Sequence, residues 1–386
     1  MKKAFGLLFL FCFSNSLFSQ TSPACHLRIS LLTCSPGEEL YSTFGHSALR
    51  VSDSVSGTDL IYNYGTFDFD DPSFYSKFVR GNLLYFVSVD KIENFLEEYE
   101  TEKRGVMEQV LNLSCEEKEK LLASLQNNAK EENKYYKYDF IYDNCTTRLR
   151  DIVFKNAASP VYTQNILARK GVSFRNLIHE YLDKSYQYWS KLGIDLLLGS
   201  PLDKKISNSE AMFLPDYLLK AFDSTTILEK KLVSQKTEIL KPILQENKSP
   251  LFSPFVVFTL LFVLIAISGF LKSTQNFLLI IDFILFFLTG ALGILMLFMW
   301  LGTDHPECRN NFNLAWAFPL HFFFVFFIYK KRNWVRNYFL ANSILLSLLL
   351  ILWKWLPQEM NNALIPFIFL MLLRSLMRYK KLKHAV

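Results

Sequence analysis

The sequence predicts two halves of different class: an exported α+β domain, then an all-α bundle of about five membrane-spanning helices. Three observations carry this. The 386-residue chain is divided in composition: residues 21–250 mix polar and apolar side chains and hold most of the acids, whereas 251–386 are dominated by Phe, Leu and Ile. The chain opens on Met1-Lys2-Lys3, a short apolar core to Phe13 and a small-residue exit to Gln20, the pattern of a signal peptide cut near Ser19 despite the large Leu17. Phe11 stands where a lipid-modified Cys12 would need a small residue, so a lipoprotein start is not expected. Finally, much of the net charge of +6 is gathered beside apolar runs, at Lys330, Lys331, Arg332 and Arg336 and again at Arg378, Lys380, Lys381 and Lys383. Such clusters set membrane topology and do not build a nucleic-acid face, so no nucleic-acid partner is expected. The implied divisions are 1–20, a signal peptide; 21–220, the exported domain; 221–250, a helical connector; and 251–386, the membrane domain.

In the exported part, alternation predicts a strand over 25–35, broken by Gly37-Glu38-Glu39. Ala48 to Val51 and Leu60 to Tyr64 flank a polar turn and read as a hairpin. A turn through Pro72 leads to a short helix at 73–79, a strand at 83–89, a helix at 90–102 and a strand at 106–113. Ser114 with Glu117 forms a capping box, and Leu121, Leu122 and Leu125 give the next helix its apolar face. The aromatic run 138–144 reads as a strand ending where a helix begins at Thr146. Residues 192–203 suggest a loop, Glu210 to Tyr217 the start of a helix with Pro215 in its first turns, and 216–246 a charged amphipathic helix or pair. Apolar stretches at 252–271, 277–300, 311–329, 336–356 and 360–377 each approach the ~20 residues that span a bilayer. Export of the front domain runs the first helix inward, so both basic clusters fall in the cytoplasm and the 301–310 loop lies outside. His321, with Pro319, lies inside the third stretch, where an unpaired histidine is costly.

The residues that invite chemistry are Cys145 and His46. A thiol at a helix N-terminus meets unpaired N–H groups and the positive dipole end, which favour thiolate and can hold an oxyanion. A cysteine nucleophile needs a base. His46, 99 residues earlier among the small residues Gly45, Ser47 and Ala48, is the best placed by type. Free cysteine is otherwise a small buried hydrophobe, and a lone histidine a satisfied polar group. The hairpin register brings Asn63 or Tyr64 beside His46 to orient it, and a slip of one residue would exchange them. With Cys12 leaving in the signal, five cysteines remain, at 25, 34, 115, 145 and 308. The odd number leaves one free, and the pairing of the others stays open. No CxxC pair is present, so no metal site is expected, and the thiol chemistry calls for no cofactor.

Phe44-Gly45-His46-Ser47, Tyr62-Asn63-Tyr64-Gly65-Thr66-Phe67-Asp68 and Tyr142-Asp143-Asn144-Cys145-Thr146-Thr147-Arg148 resemble segments of the Lnb-type lipoprotein N-acyltransferases, as do Asp304-His305-Pro306 and Asn313-Leu314-Ala315-Trp316. The His-before-Cys order is similar to the permuted NlpC/papain fold of lecithin retinol acyltransferase-like enzymes. The resemblance implies an inner-membrane enzyme with a periplasmic thiol acyltransferase domain, Cys145 as nucleophile and His46 as base. It implies a phospholipid acyl donor and a diacylglyceryl lipoprotein acceptor. Asn144, Arg148, Tyr142 and His305 become candidates for substrate contact. A cell-wall peptidase or amidase of NlpC type, a phospholipase and a non-catalytic membrane receptor are the alternatives. Five spanning helices exceed what a peptidase needs as an anchor.

Overall fold

A computed structural model describes residues 25–39, 41–68, 70–243 and 250–383. The expected signal peptide lies outside them. The exported part is built on β1 (Leu27–Cys34), β2 (His46–Asp53), β3 (Asp59–Thr66), α1 (Phe74–Arg80), β4 (Leu84–Lys91), α2 (Ile92–Thr101), β5 (Val106–Leu111), α3 (Cys115–Asn128), β6 (Tyr135–Lys137) and α4 (Cys145–Asn156). It continues through β7 (Val161–Thr163), α5 (Phe174–Lys184), α6 (Tyr188–Leu197), α7 (Asn208–Ala211), α8 (Pro215–Ser224), β8 (Thr225–Ile227), β9 (Lys230–Lys231) and β10 (Val233–Leu240). One sheet runs β10-β5-β1-β2-β3-β4-β6 with every pairing antiparallel, and β7-β8-β9 form a smaller one. Leu27, Ile29, Leu31, Leu49, Tyr62 and Tyr64 bury one face of the large sheet against Leu121 and Leu125 of α3 and Leu149 and Val153 of α4. Leu32, Ala48 and Ile61 cover α2 on the other. The predicted hairpin, the strand β1 and the Ser114–Glu117 capping box are all present, although β1 is buried on both faces rather than alternating. Cys25 pairs with Cys115, and Cys34, Cys145 and Cys308 are free.

Several expectations are corrected. Of the expected helical connector 221–250, the described residues 221–243 are not helical beyond Ser224: α8 ends there, β8 and β9 follow, and β10 joins β5 as an edge strand of the large sheet. Val233, Ile239 and Leu240 pack partly against the core, while the charged residues between them line the solvent side of an edge. Pro215 is the first residue of α8, where its missing N–H costs nothing. Residues 188–197 form α6 and Ser200–Asp203 a 3₁₀ turn, so within the 192–203 segment only Leu198 and Gly199 are irregular. The 138–144 run is a turn. Asp139 and Asp143 exchange backbone bonds, and the Asp139 carboxylate accepts the N–H groups of Ile141 and Tyr142, each at 2.8 Å.

The membrane half contains α9 (Pro254–Phe270), α10 (Gln275–Leu301), α11 (His321–Phe324), α12 (Asn333–Ile351) and α13 (Leu364–Lys383). Four are long. Among the described residues, α10 and α12 are long and apolar enough to cross a membrane, and α9 is a shorter apolar helix. The third predicted span is broken into α11 and 3₁₀ turns at Phe312–Ala315 and Val325–Phe327. Pro319 cannot donate a helical bond. The broken segment lies hard against α10, where a Cβ on Gly293 would come within 2.0 Å of the Ala317 carbonyl. His321 is fully buried; its Nδ1 meets the Tyr338 hydroxyl, while its Nε2 has no hydrogen-bond partner among the described residues.

A buried polar network joins the halves. Arg175 of α5 binds Asp195 (2.7 Å) and Asp203 (3.0 Å). Asp195 also accepts from Asn361 (2.8 Å) and contacts His179 (2.8 Å), while Asn313 donates to its backbone carbonyl (2.8 Å). Asn311 donates to the Leu196 carbonyl (2.7 Å) and Gln358 to that of Leu198 (3.1 Å). Two outer loops of the membrane half are thereby fixed to α5 and α6.

Candidate active site

The site forms at one end of the large sheet. Gly45 (φ +78°) turns the chain into β2 so closely that a Cβ there would lie 2.6 Å from the Cys34 carbonyl, so only glycine fits. His46 opens β2. Gly65 (φ +95°) sits near the end of β3, where a Cβ would lie 3.6 Å from Cys145 Cβ and 3.9 Å from His46 Cε1. The two side chains therefore converge over a residue that has none. The helix that delivers Cys145 starts by capping: Asn144 Oδ1 accepts from the Thr147 N–H, and Thr147 Oγ1 accepts from the Asn144 N–H, both at 2.8 Å. Cys145 is thus the first residue of α4, one position before the sequence reading began it. Phe44, two residues before His46, meets Phe140 of the Cys145 turn at 4.9 Å between ring centroids, which couples the two segments.

His46 Nε2 lies 2.5 Å from Asn63 Oδ1. An amide oxygen there accepts from Nε2–H and leaves Nδ1 as the ring nitrogen open to the thiol. Burial would push the Cys145 thiol up. The charge of His46, hydrogen bonds with His46 and Thr146, and the Ser47 backbone N–H outweigh it, and bring the thiol down to about 7. Burial would likewise lower His46, but the thiolate's charge, its hydrogen bond and that of Asn63 raise it. Both shifts run in the direction that favours a thiolate–imidazolium pair, with Asn63 as an orienting amide.

The candidates divide accordingly. Cys145, His46 and Asn63 come together. Tyr64 does not: strand alternation turns it to the opposite face, where its hydroxyl accepts from Asn128 Nδ2 at 2.8 Å in the core. Asn144 is buried, and its amide is spent on the cap and on the Phe140 (2.7 Å) and Phe213 (2.9 Å) carbonyls, so it holds the turn. Arg148 grips Asp143 through two bonds (2.6 and 2.7 Å) and lies 3.5 Å from the centre of the Tyr136 ring, which makes it a brace of the same turn. Tyr142 is exposed, its ring edge-on to Phe174. His305 contacts the Phe78 carbonyl at 3.1 Å, at the seam between the halves.

That seam brings in Lys137, Asp139 and Glu307, which the sequence does not single out. Asp304 binds Lys137 at 3.0 Å and donates its N–H to the Arg80 carbonyl at 2.9 Å. Two residues further, Asp139 faces Glu307; burial and the Asp139 carboxylate push Glu307 up to about 7. The segment 137–139, which ends six residues before Cys145, therefore lies along the 304–307 loop of the membrane half. Only the assembled fold brings it there. Gly65 alone had a local signal, a glycine directly after a strand pattern.

Two family models match the chain: the Lnb N-terminal periplasmic domain over residues 15–180 and the Lnb transmembrane domain over residues 245–385. No curated protein and no solved structure matches.

Proposed function

Since the chain belongs to the Lnb family of membrane enzymes that modify lipoproteins, with its periplasmic and transmembrane domains both present, we propose that it moves an acyl chain from a phospholipid to the N-terminal cysteine amine of a lipoprotein through a thioester on Cys145. The observation that carries this reading is the Cys145–His46–Asn63 alignment seated, through Lys137 and Asp304, on the outer loop of a membrane bundle.

The thiolate attacks the ester carbonyl carbon, and the charge that develops on oxygen faces the N-terminus of α4. There the cap takes the Thr147 N–H and the helix that of Arg148, which leaves the Cys145 and Thr146 N–H groups for the oxyanion. The carbon–oxygen bond to the lysophospholipid breaks, and the His46 imidazolium protonates the departing oxygen. The lipoprotein's α-amine, with a pKa of about 7.7–8, is partly neutral at pH 7 and attacks the thioester. The carbon–sulfur bond breaks, the amide forms, and the surplus proton of the amine passes to His46, restoring the ion pair. Asn63 holds the ring in the tautomer and orientation both steps need. Water must stay out of the thioester stage or the product is free fatty acid. The catalytic domain belongs on the periplasmic side of the inner membrane, where both lipid substrates are reached without leaving the bilayer.

The test is to withhold the acceptor. The purified protein in phospholipid should then carry one acyl chain, seen by intact-protein mass spectrometry and released by hydroxylamine at neutral pH. Cys145→Ser should lose both adduct and turnover, while Cys34→Ser and Cys115→Ser should keep the adduct. Normal lipoprotein N-acylation by Cys145→Ser would overturn the thioester route.

A further inference from the structure

Helix α1 exposes an apolar side that the fold does not cover: Tyr75 is 78% exposed, Phe78 51% and Val79 42%, with Leu84 just beyond at 53%. Its place relative to the bilayer is fixed by the seam. The Arg80 carbonyl accepts the Asp304 N–H and the Phe78 carbonyl contacts His305. Asp304 and His305 follow within four residues of Leu301, the last residue of the longest apolar helix. Four residues span at most about 14 Å, so α1 lies at the level of the outer headgroups. Arg80 in the last turn of the same short helix suits an anionic phosphate, while Lys77 is bound to the Asp71 carboxylate at 2.6 Å.

From α1 an unbroken aromatic wall leads inward. Phe74, whose ring centroid is 6.2 Å from that of Phe78, lies 5.7 Å from Phe67. Phe67 lies 5.2 Å from Tyr85, and Tyr85 stacks on Tyr138 at 4.2 Å. Tyr85 and Tyr138 pack on the cluster that contains Cys145, and Phe67 is two residues from Gly65, the glycine beneath the nucleophile. One end of the wall is at the headgroups and the other at the thiol.

We propose that α1 is a lip that dips into the outer leaflet of a phospholipid bilayer, and that the donor's acyl chain travels from it along Phe74, Phe67, Tyr85 and Tyr138 to Cys145. This rests on the reading of Cys145 as the acylated residue, and the experiment keeps the two apart. Full-length protein in phosphatidylethanolamine–phosphatidylglycerol proteoliposomes is compared with the triple variant Tyr75→Ser, Phe78→Ser, Val79→Ser. Acyl-enzyme formation from bilayer phospholipid should fall at least about tenfold, the scale expected when three apolar side chains leave a bilayer. Acylation by soluble 4-nitrophenyl butyrate, which needs no lip, should stay within about twofold by the same reasoning. Equal loss with both donors, or no loss with either, overturns the lip. Independently, p-benzoylphenylalanine in place of Phe78, in a Cys145→Ser background, should crosslink to lipid on irradiation, and its failure to do so also overturns the lip. If instead Cys145→Ser retained turnover, the acyl-enzyme reading would fall while the crosslink still reported insertion.

Discussion

Burial makes a thiol a poor nucleophile, and it pushes Cys34 and Cys308 up to about 12. Cys145 is buried as well, and the difference is His46. Since Cys145 reaches its thiolate at about 7, the rate of its alkylation by iodoacetamide should climb as pH rises through 7 and level off above. Removing the imidazole leaves only the Thr146 hydrogen bond and the Ser47 N–H against burial, so in His46→Ala the same limb should move up, to about 8.5 or above, the free-thiol range. Asn63→Ala acts only through the ring and should move the limb part of the way; a limb unmoved by either change would dissolve the ion pair. Mass spectrometry of the Cys145 peptide reads all three. The pair was legible in the sequence because a glycine-flanked histidine and a helix-opening cysteine are local signals. Choosing Asn63 over Tyr64 needed the register of β2 against β3, which alternation alone leaves one residue uncertain. The Asp139–Glu307 contact had no sequence signal, since it joins residues far apart in the chain through docking.

Helix α4 opens on Cys145, and its cap decides where that thiol sits. Asn144→Ala removes the cap, worth about 0.5–2 kcal/mol. It also leaves the Phe140 and Phe213 carbonyls without their donor, at about 1–3 kcal/mol for a buried unsatisfied group. Thermal unfolding should show a clear loss of stability, and Asn144→Asp, which restores the cap but neither carbonyl bond, should recover only part of it. The outer loop makes its own demand on pH. Glu307 binds its proton more tightly in the folded protein, up to about 7, than in the unfolded chain. Its contribution therefore favours the docked state fully below the ordinary carboxylate range and is lost as pH rises through 7. Glu307→Gln should flatten that part of the stability–pH curve; an unchanged slope would mean the carboxyl does not sense docking. At this scale the sequence misled where polar side chains compete with the backbone. Residues 138–144 alternate like a strand, but the Asp139 carboxylate captures two N–H groups and folds them into a turn. Residues 233–240 are charged like a solvated helix, and become a strand only because β5 offers an open edge.

Across the whole molecule, the two-part composition and the basic clusters made the exported domain and the membrane bundle legible, because both follow from the energetics of the bilayer. A labelling scan should find residues 60, 150 and 305 outside and 333 and 382 inside, and 305 and 333 on one side would break the topology. How the halves are joined was not legible, since the join consists of scattered Asn, Gln, Arg and Asp side chains with no periodic pattern. Asp195 is its centre, holding Arg175, His179 and Asn361 through its carboxylate. Asp195→Ala leaves buried donors and a buried guanidinium short of a partner, at about 3–5 kcal/mol for a broken buried pair. Because the Cys145–His46 pair lies on the separate support of β2, β3 and α4, its alkylation profile should persist in this variant. Transfer from bilayer phospholipid should nevertheless fall, since the catalytic turn no longer rides at a fixed height over the membrane. Arg175→Lys should act in the same direction, because an ammonium cannot reproduce the forked contacts to Asp195 and Asp203. If phospholipid transfer survived while the melting temperature dropped, the network would be a source of stability alone, and the height of the active site would have to be set by the Lys137–Asp304 seam instead.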